Sequence, residues 1–182
     1  MMSTRLLIGL IIISFVGCAD VQTGRYVTAN QNVVSLENRN VALMWLAPDC
    51  PLCQTYSSDF IMLSQTFSSQ VSFYGVLPSN QYTNAEIQHF VDSFGFDIPI
   101  ILDETYELTK RFNATVTPEF ILIDSSFTVQ YQGKFDDWAT DLGQKKLKPT
   151  AFYFKDALQS FTAGQPVLNR YVEPIGCVIE LD

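Results

Sequence analysis

The chain is poor in metal-binding side chains: it has a single histidine, His89, and 4 cysteines, Cys18, Cys50, Cys53 and Cys177. Structural zinc takes four ligands. With Cys18 at the end of an apolar leader, only Cys177 and His89 remain to complete a set with Cys50 and Cys53. Positive charge is also scarce, with 11 Lys and Arg against 19 Asp and Glu and a formal net charge of -8. Loss of Arg5 with a leader makes the remainder more negative still. Such a chain is repelled by phosphate backbones and anionic membrane surfaces, which excludes nucleic acid as a partner. The apolar stretch from Leu6 to Gly17 falls short of the roughly 20 residues that a membrane span needs. There is no repeat, low-complexity tract or long linker.

What the first residues do contain is Arg5, the apolar run Leu6 to Ile13, and then Ser14-Phe15-Val16-Gly17-Cys18. A charged start, a short apolar segment and small residues near a cut site are the pattern of a secretion signal. Its end resembles the lipobox of bacterial lipoproteins, with Phe15 where that pattern favours leucine. The resemblance implies a signal peptide over 1–17, lipid on Cys18, a tether over 18–25 and one folded domain over 26–182. It places the protein on the periplasmic side of a bacterial envelope, held to the membrane by its N-terminal lipid. An ordinary cleaved leader is the alternative.

The chemistry concentrates in Cys50-Pro51-Leu52-Cys53. Upstream, Val41 to Ala47 is an apolar run of strand length, as expected of a strand buried on both faces. Downstream, Leu52, Tyr56, Phe60, Leu63 and Phe67 recur at helical spacing, and Pro51 suits a first helical turn. A thiol at a helix start faces unpaired N–H groups and the positive end of the helix dipole, which favour the thiolate that attacks disulfides. Cys50 is the expected attacker. Cys53, one turn inward, is the expected resolving thiol. This chemistry asks that the Cys50 sulfur be exposed and that Cys53 be able to close onto it.

Further along, Val71 to Leu77 reads as a strand, and Thr83-Asn84-Ala85-Glu86 as a capping box opening a helix that ends at Gly95. Ile98 to Leu102 reads as a strand, Thr105 to Phe112 as a short helix, and Phe120 to Asp124 with Val129 to Gln132 as a hairpin. A last helix is expected from Thr150, carrying Phe154, Leu158 and Phe161. This order describes an α/β domain: a mixed central sheet with helices on both faces. Asp136, Asp137, Asp141, Lys145, Lys146 and Lys148 read as a solvated polar loop.

Ala47-Pro48-Asp49-Cys50-Pro51-Leu52-Cys53 resembles the active-site turn of thioredoxin-like proteins, and Thr115-Val116-Thr117-Pro118-Glu119-Phe120 resembles their cis-proline loop. The Cys50 to Pro118 separation leaves room for an inserted helix-strand unit between Thr83 and Leu102. That insertion is similar to the TlpA-like and redoxin branch, which includes domains of the alkyl hydroperoxide reductase kind. The resemblance implies a thioredoxin-like fold without a cofactor. It also implies thiol-disulfide exchange with protein thiols and disulfides, supplied by an envelope electron donor. Pro118 faces the cysteines in this scheme, Thr117 pairs with the incoming substrate strand, and Pro51 and Leu52 complete the substrate-binding surface.

Asp49 stands where thioredoxins carry tryptophan. A carboxylate about 6 Å from the sulfur disfavours the thiolate by roughly 0.7 to 3 kcal/mol, against the pull of the helix end. Asp49 is thus expected either to tune the Cys50 pKa or simply to cap the helix. Leu52 offers the thiolate no hydrogen bond, which favours a reductant or exchange role over a potent oxidase. Cys177, in Pro174-Ile175-Gly176-Cys177, reads as a buried inert residue, as a third redox thiol reaching Cys50, or as a third thiolate for Cu(I). The last makes a copper-binding module the alternative function. A thiol peroxidase is a lesser one, since Ala47 and Leu43 replace the threonine or serine and the proline of peroxiredoxins, and Arg111 or Arg170 would have to approach the site.

Overall fold

A computed structural model describes residues 24–181. The expected signal peptide, Cys18 and the expected tether as far as Thr23 lie outside the described residues. The first half holds β1 (Arg25–Val27), β2 (Val33–Ser35), β3 (Val41–Trp45), α1 (Pro51–Phe67), β4 (Ser72–Leu77), α2 (Asn84–Phe94) and β5 (Ile100–Leu102). After it come α3 (Glu107–Phe112), β6 (Val116–Thr117), β7 (Glu119–Ile123), β8 (Val129–Gly133), β9 (Ala139–Asp141) and β10 (Gln144–Lys145). The chain closes with α4 (Tyr153–Thr162), β11 (Tyr171–Val172) and β12 (Cys177–Val178).

The central sheet has 6 strands in the order β11-β8-β7-β3-β4-β5. β3 runs parallel to β4 and antiparallel to β7, so the sheet is mixed. Its middle strand is buried on both sides, and the alternation of the pleat divides its side chains between two cores. Ala42, Met44 and Leu46 join Phe60, Phe90, Phe120 and Phe154 under α1, α2 and α4. Val41, Leu43 and Trp45 face Tyr26, Leu36, Leu108 and Phe112 beneath the N-terminal hairpin and α3. The Trp45 indole N–H donates to Thr109 Oγ1 at 2.9 Å, fixing α3 against β3.

The inserted unit is α2 with β5. Thr83 and Glu86 form the expected capping box, and Gly95 ends the helix in the left-handed conformation. Beyond short strands that the sequence reading did not contain and ends shifted by a residue or two, the last helix and the polar loop before it differ from that reading. The last helix starts at Tyr153 rather than Thr150, because the Thr150 hydroxyl and N–H both donate to Asp137, each at 2.6 Å. Asp136 and Asp137 are buried rather than solvated. Asp136 accepts from the Tyr56 hydroxyl at 2.7 Å and Asp137 pairs with Lys146, so the two carboxylates fasten the connection between β8 and β9 to α1 and to the segment leading into α4. Among the described residues no helix is long and apolar enough to cross a membrane.

Candidate active site

β3 delivers the chain to a turn in which the Cys50 N–H donates to the Ala47 carbonyl at 3.1 Å, and α1 begins immediately afterwards. Cys50 is the N-cap, in extended conformation with no side-chain cap bond, and Pro51 occupies the first helical turn. The Cys50 side chain is therefore free to face the first N–H groups of the helix, which would otherwise lack partners. The neighbouring Cys53 thiol lowers the Cys50 pKa most. The Cys177 thiol and the N–H groups of Cys53 and Leu52 also lower it, burial opposes them, and the result is about 5.

Cys53 points into the core with no exposed surface, where the Ala47 N–H donates to its sulfur at 3.5 Å. Burial first, then the hydrogen bond to Cys50 and its charge, push the Cys53 thiol well above its ordinary value. One thiol of the pair is thus held as the anion and the other as the acid. Pro51 is exposed beside them, and Leu52 packs partly against the core.

Across from the helix start, the Thr117–Pro118 peptide bond is cis. The Thr117 carbonyl oxygen lies 3.1 Å from Cys50 Sγ and accepts from it when the thiol is protonated. This loop is anchored by Glu119, whose buried carboxylate accepts from the Thr115 N–H at 2.8 Å and from the Gln132 side-chain amide at 2.7 Å. The motif in which Glu119 stands gave no hint of that role, since an acid after a proline reads as an ordinary start to a strand.

The C-terminal strand meets the same loop. β12 pairs antiparallel with β6, with Cys177 opposite Thr117 and Val178 opposite Val116, and the Ile179 N–H donates to the Thr115 carbonyl at 2.9 Å. Cys177 Sγ then sits 2.9 Å from Cys50 Sγ. All three described cysteines are free. Cys50, its sulfur expected to be exposed, is instead only 2% exposed as a residue, with Cys177 of β12 against its sulfur. What opens to solvent beside it is a cavity of about 290 Å³ lined by Asp49, Cys50, Tyr82, Thr117, Cys177 and Val178 among others.

The Redoxin family model matches residues 20–143, more than half of the chain. The chain belongs to the Redoxin family. Among solved structures, this redoxin is similar to an uncharacterized conserved protein from Geobacillus kaustophilus, with 22% identity over 87% of this chain and 88% of the other and a TM-score of 0.72. A hypothetical protein from Sinorhizobium meliloti 1021 aligns with 19% identity over 87% and 90% of the two chains, TM-score 0.74. A secreted Mycobacterium tuberculosis disulfide oxidoreductase, homologous to E. coli DsbE, aligns with 17% identity over 78% and 96%, TM-score 0.54. These likenesses establish the thioredoxin-like fold. No curated relative matches the sequence.

Asp49 does not cap α1 in this redoxin, where Cys50 is the N-cap and no side chain makes the cap bond. Its carboxylate instead accepts from the Tyr82 hydroxyl at 2.5 Å. That contact, with burial the larger cause, raises the Tyr82 phenol, and the Asp49 charge also adds to the elevation of Cys177. Tyr82 was not singled out by the sequence, being separated from Asp49 by α1, β4 and the loops around them.

The residues behind the alternative readings are spread apart. His89 is exposed on α2 in an adjoining groove that shares Asp49 and Tyr82 with the cavity at Cys50, but His89 does not border that cavity. Arg111 stacks on the Phe127 ring at 4.1 Å and Arg170 donates to the Val129 carbonyl; neither borders the cavity at Cys50. Among the described residues no group of three or more His, Cys, Asp or Glu is arranged to hold a metal ion.

Proposed function

We propose that this redoxin is a thiol-disulfide oxidoreductase that exchanges disulfides with protein partners in the bacterial envelope through Cys50 and Cys53. One observation carries the reading. The Cys50 sulfur stands at the start of α1, against the Thr117 carbonyl, with its thiol drawn down to about 5. It is ionised at neutral pH, and the thiolate is the species that attacks a disulfide.

In the forward direction the Cys50 thiolate attacks one sulfur of a client disulfide. A Cys50–client bond forms, the client bond breaks, and the departing client thiolate takes a proton. Forming the mixed disulfide removes the negative charge on Cys50. Two of the causes that hold Cys53 protonated, its hydrogen bond to Cys50 and the Cys50 charge, disappear with it. Cys53 then loses its proton, attacks Cys50 Sγ and expels the second client thiolate. With β12 displaced from it, Thr117 offers main-chain groups to a client strand, with Pro118 at its side and Pro51 and Leu52 as the flanking surface. An envelope donor resets the pair. Cys18 carries the lipid that keeps the domain at the membrane.

The test equilibrates the full chain with glutathione buffers and a disulfide-bonded peptide. A reversible two-electron couple is expected, lost in Cys50→Ser and replaced by a trapped mixed disulfide when Cys53→Ser is combined with Cys177→Ser. Exchange that persists in Cys50→Ser overturns the reading. Hydroperoxide turnover surviving Cys53→Ser assigns a peroxidase, and tight stoichiometric Cu(I) with poor exchange assigns the copper module. For the anchor, incorporation of labelled palmitate is expected and should vanish in Cys18→Ser.

A further inference from the structure

The backbone edge at Thr117, which the proposed exchange leaves for a client strand, is already taken by this chain's own C-terminus. β12 makes the antiparallel pairing there, and Cys177 stands opposite Thr117 with its sulfur 2.9 Å from Cys50 Sγ. The approach depends on Gly176. A Cβ at that position would collide with the Thr117 carbonyl, whose carbon would lie 2.6 Å away, and would come within 3.1 Å of the Pro118 nitrogen. Strand pairing, sulfur contact and the missing side chain are separate observations, and they agree on one arrangement.

We propose that the segment Gly176–Ile179 is a built-in pseudosubstrate and that Cys177 is a third redox thiol, which captures Cys50 in a Cys50–Cys177 disulfide once a client has oxidised the site. The inference rests on the exchange function proposed above. After a client has left Cys50 and Cys53 joined, the tail returns to the Thr117 edge and the Cys177 thiolate attacks Cys50 Sγ. The Cys50–Cys177 bond forms and the Cys50–Cys53 bond breaks. The electron pair departs on the Cys53 sulfur, which takes up the proton that Cys177 gave up. No external oxidant enters, because the client disulfide has already removed the two electrons. Cys177 is favoured for this step by access: it is partly exposed, whereas Cys53 is sealed in the core. In the reduced protein, burial and the adjacent Cys50 thiolate hold Cys177 up to about 12. Oxidation of Cys50 abolishes the second of those causes, so the thiol becomes easier to ionise in the state that needs it. The product is a disulfide tying the C-terminus over the site, presented to a donor at the surface and closed to further clients.

The experiment oxidises the full chain with one equivalent of oxidised glutathione and maps its disulfides by mass spectrometry of non-reduced peptides. A Cys50–Cys177 peptide is expected in the wild type and as the sole internal disulfide in Cys53→Ser, while Cys177→Ser yields only Cys50–Cys53. Gly176→Ala keeps all three thiols but should lower the Cys50–Cys177 yield at least fivefold and speed alkylation of Cys50 by a similar factor. If the wild type yields only Cys50–Cys53 and Cys53→Ser remains glutathionylated with no internal bond, the third-thiol inference is overturned and the exchange function stands. If Cys50 fails to react with glutathione in every variant, the exchange function falls and takes this inference with it.

Discussion

Cys50 and Cys53 are three residues apart, yet their thiols are driven in opposite directions. Cys50 is drawn down to about 5 chiefly by the hydrogen bond from Cys53, whereas burial pushes Cys53 well up. Absorbance of the reduced chain at 240 nm should therefore show one thiolate appearing with a midpoint near pH 5. That step should be missing from Cys50→Ser; a first midpoint near the ordinary thiol value of 9.0 would contradict the assignment. The carboxylate of Glu119 acts at the same scale on the facing loop. Removing it leaves the Thr115 N–H and one N–H of the Gln132 amide without their acceptor; both contacts are only partly buried, so each costs about 1 kcal/mol, the low end for an unmet donor. Glu119→Leu is expected to lose about 2 kcal/mol in urea unfolding and to slow exchange at Cys50 through a loosened Thr117–Pro118 segment. A loss below about 0.5 kcal/mol would show that the loop holds itself.

Elements differ in how clearly the sequence announces them, and the difference follows length. β3, α1 and α2 carry five or more residues of unbroken pattern or a full capping box, so periodicity and cap chemistry locate them to within a residue or two. β6, β11 and β12 have two residues each, too few for any period to show, and exist because a distant partner is there. The same holds for the site. Cys50, Cys53, Thr117 and Pro118 stand in motifs that can be read along the chain, whereas the covering of Cys50 by Cys177 depends on a backbone approach between residues far apart in sequence. Gly133 shows how such short pairings are fixed. It has φ of 141°, in the region that disfavours other residues, and a Cβ there would lie 2.7 Å from the Val172 carbonyl carbon. Gly133→Ala should detach β11 from β8, read as loss of amide protection at Gln132 and Lys134, whose N–H groups donate to Arg170 and Val172. Unchanged protection would mean that the strand tolerates the clash.

At the scale of the molecule, the opposed thiols couple redox state to stability. A group whose pKa is lower in the folded chain than in the unfolded one adds stability as pH rises between the two values. For Cys50 that window runs from about 5 to about 9, and within it the unfolded chain binds a proton that the folded chain does not. Cys177 and Cys53 behave oppositely: above about 9 the unfolded thiols ionise while the folded ones stay protonated, so stability falls. The other resolved shifts act elsewhere. The lowered carboxyls of Asp124 and Asp137 act below 3.8 and that of Glu86 below 4.5, the raised one of Asp59 acts upward from 3.8, and the raised tyrosines act above 10.0. The thermal midpoint of the reduced chain should accordingly climb from pH 5 to a maximum near pH 9 and then decline. On the rising side the slope is at most about 1.4 kcal/mol per pH unit, the value for one proton. Oxidation of Cys50 removes its titration, and so does Cys50→Ser, so both forms should lose the rising limb while keeping the same two-sided core. Calorimetry of the reduced, oxidised and Cys50→Ser chains from pH 5 to 10 checks this, and a reduced profile as flat as the other two would show that Cys50 carries no depressed pKa in the fold.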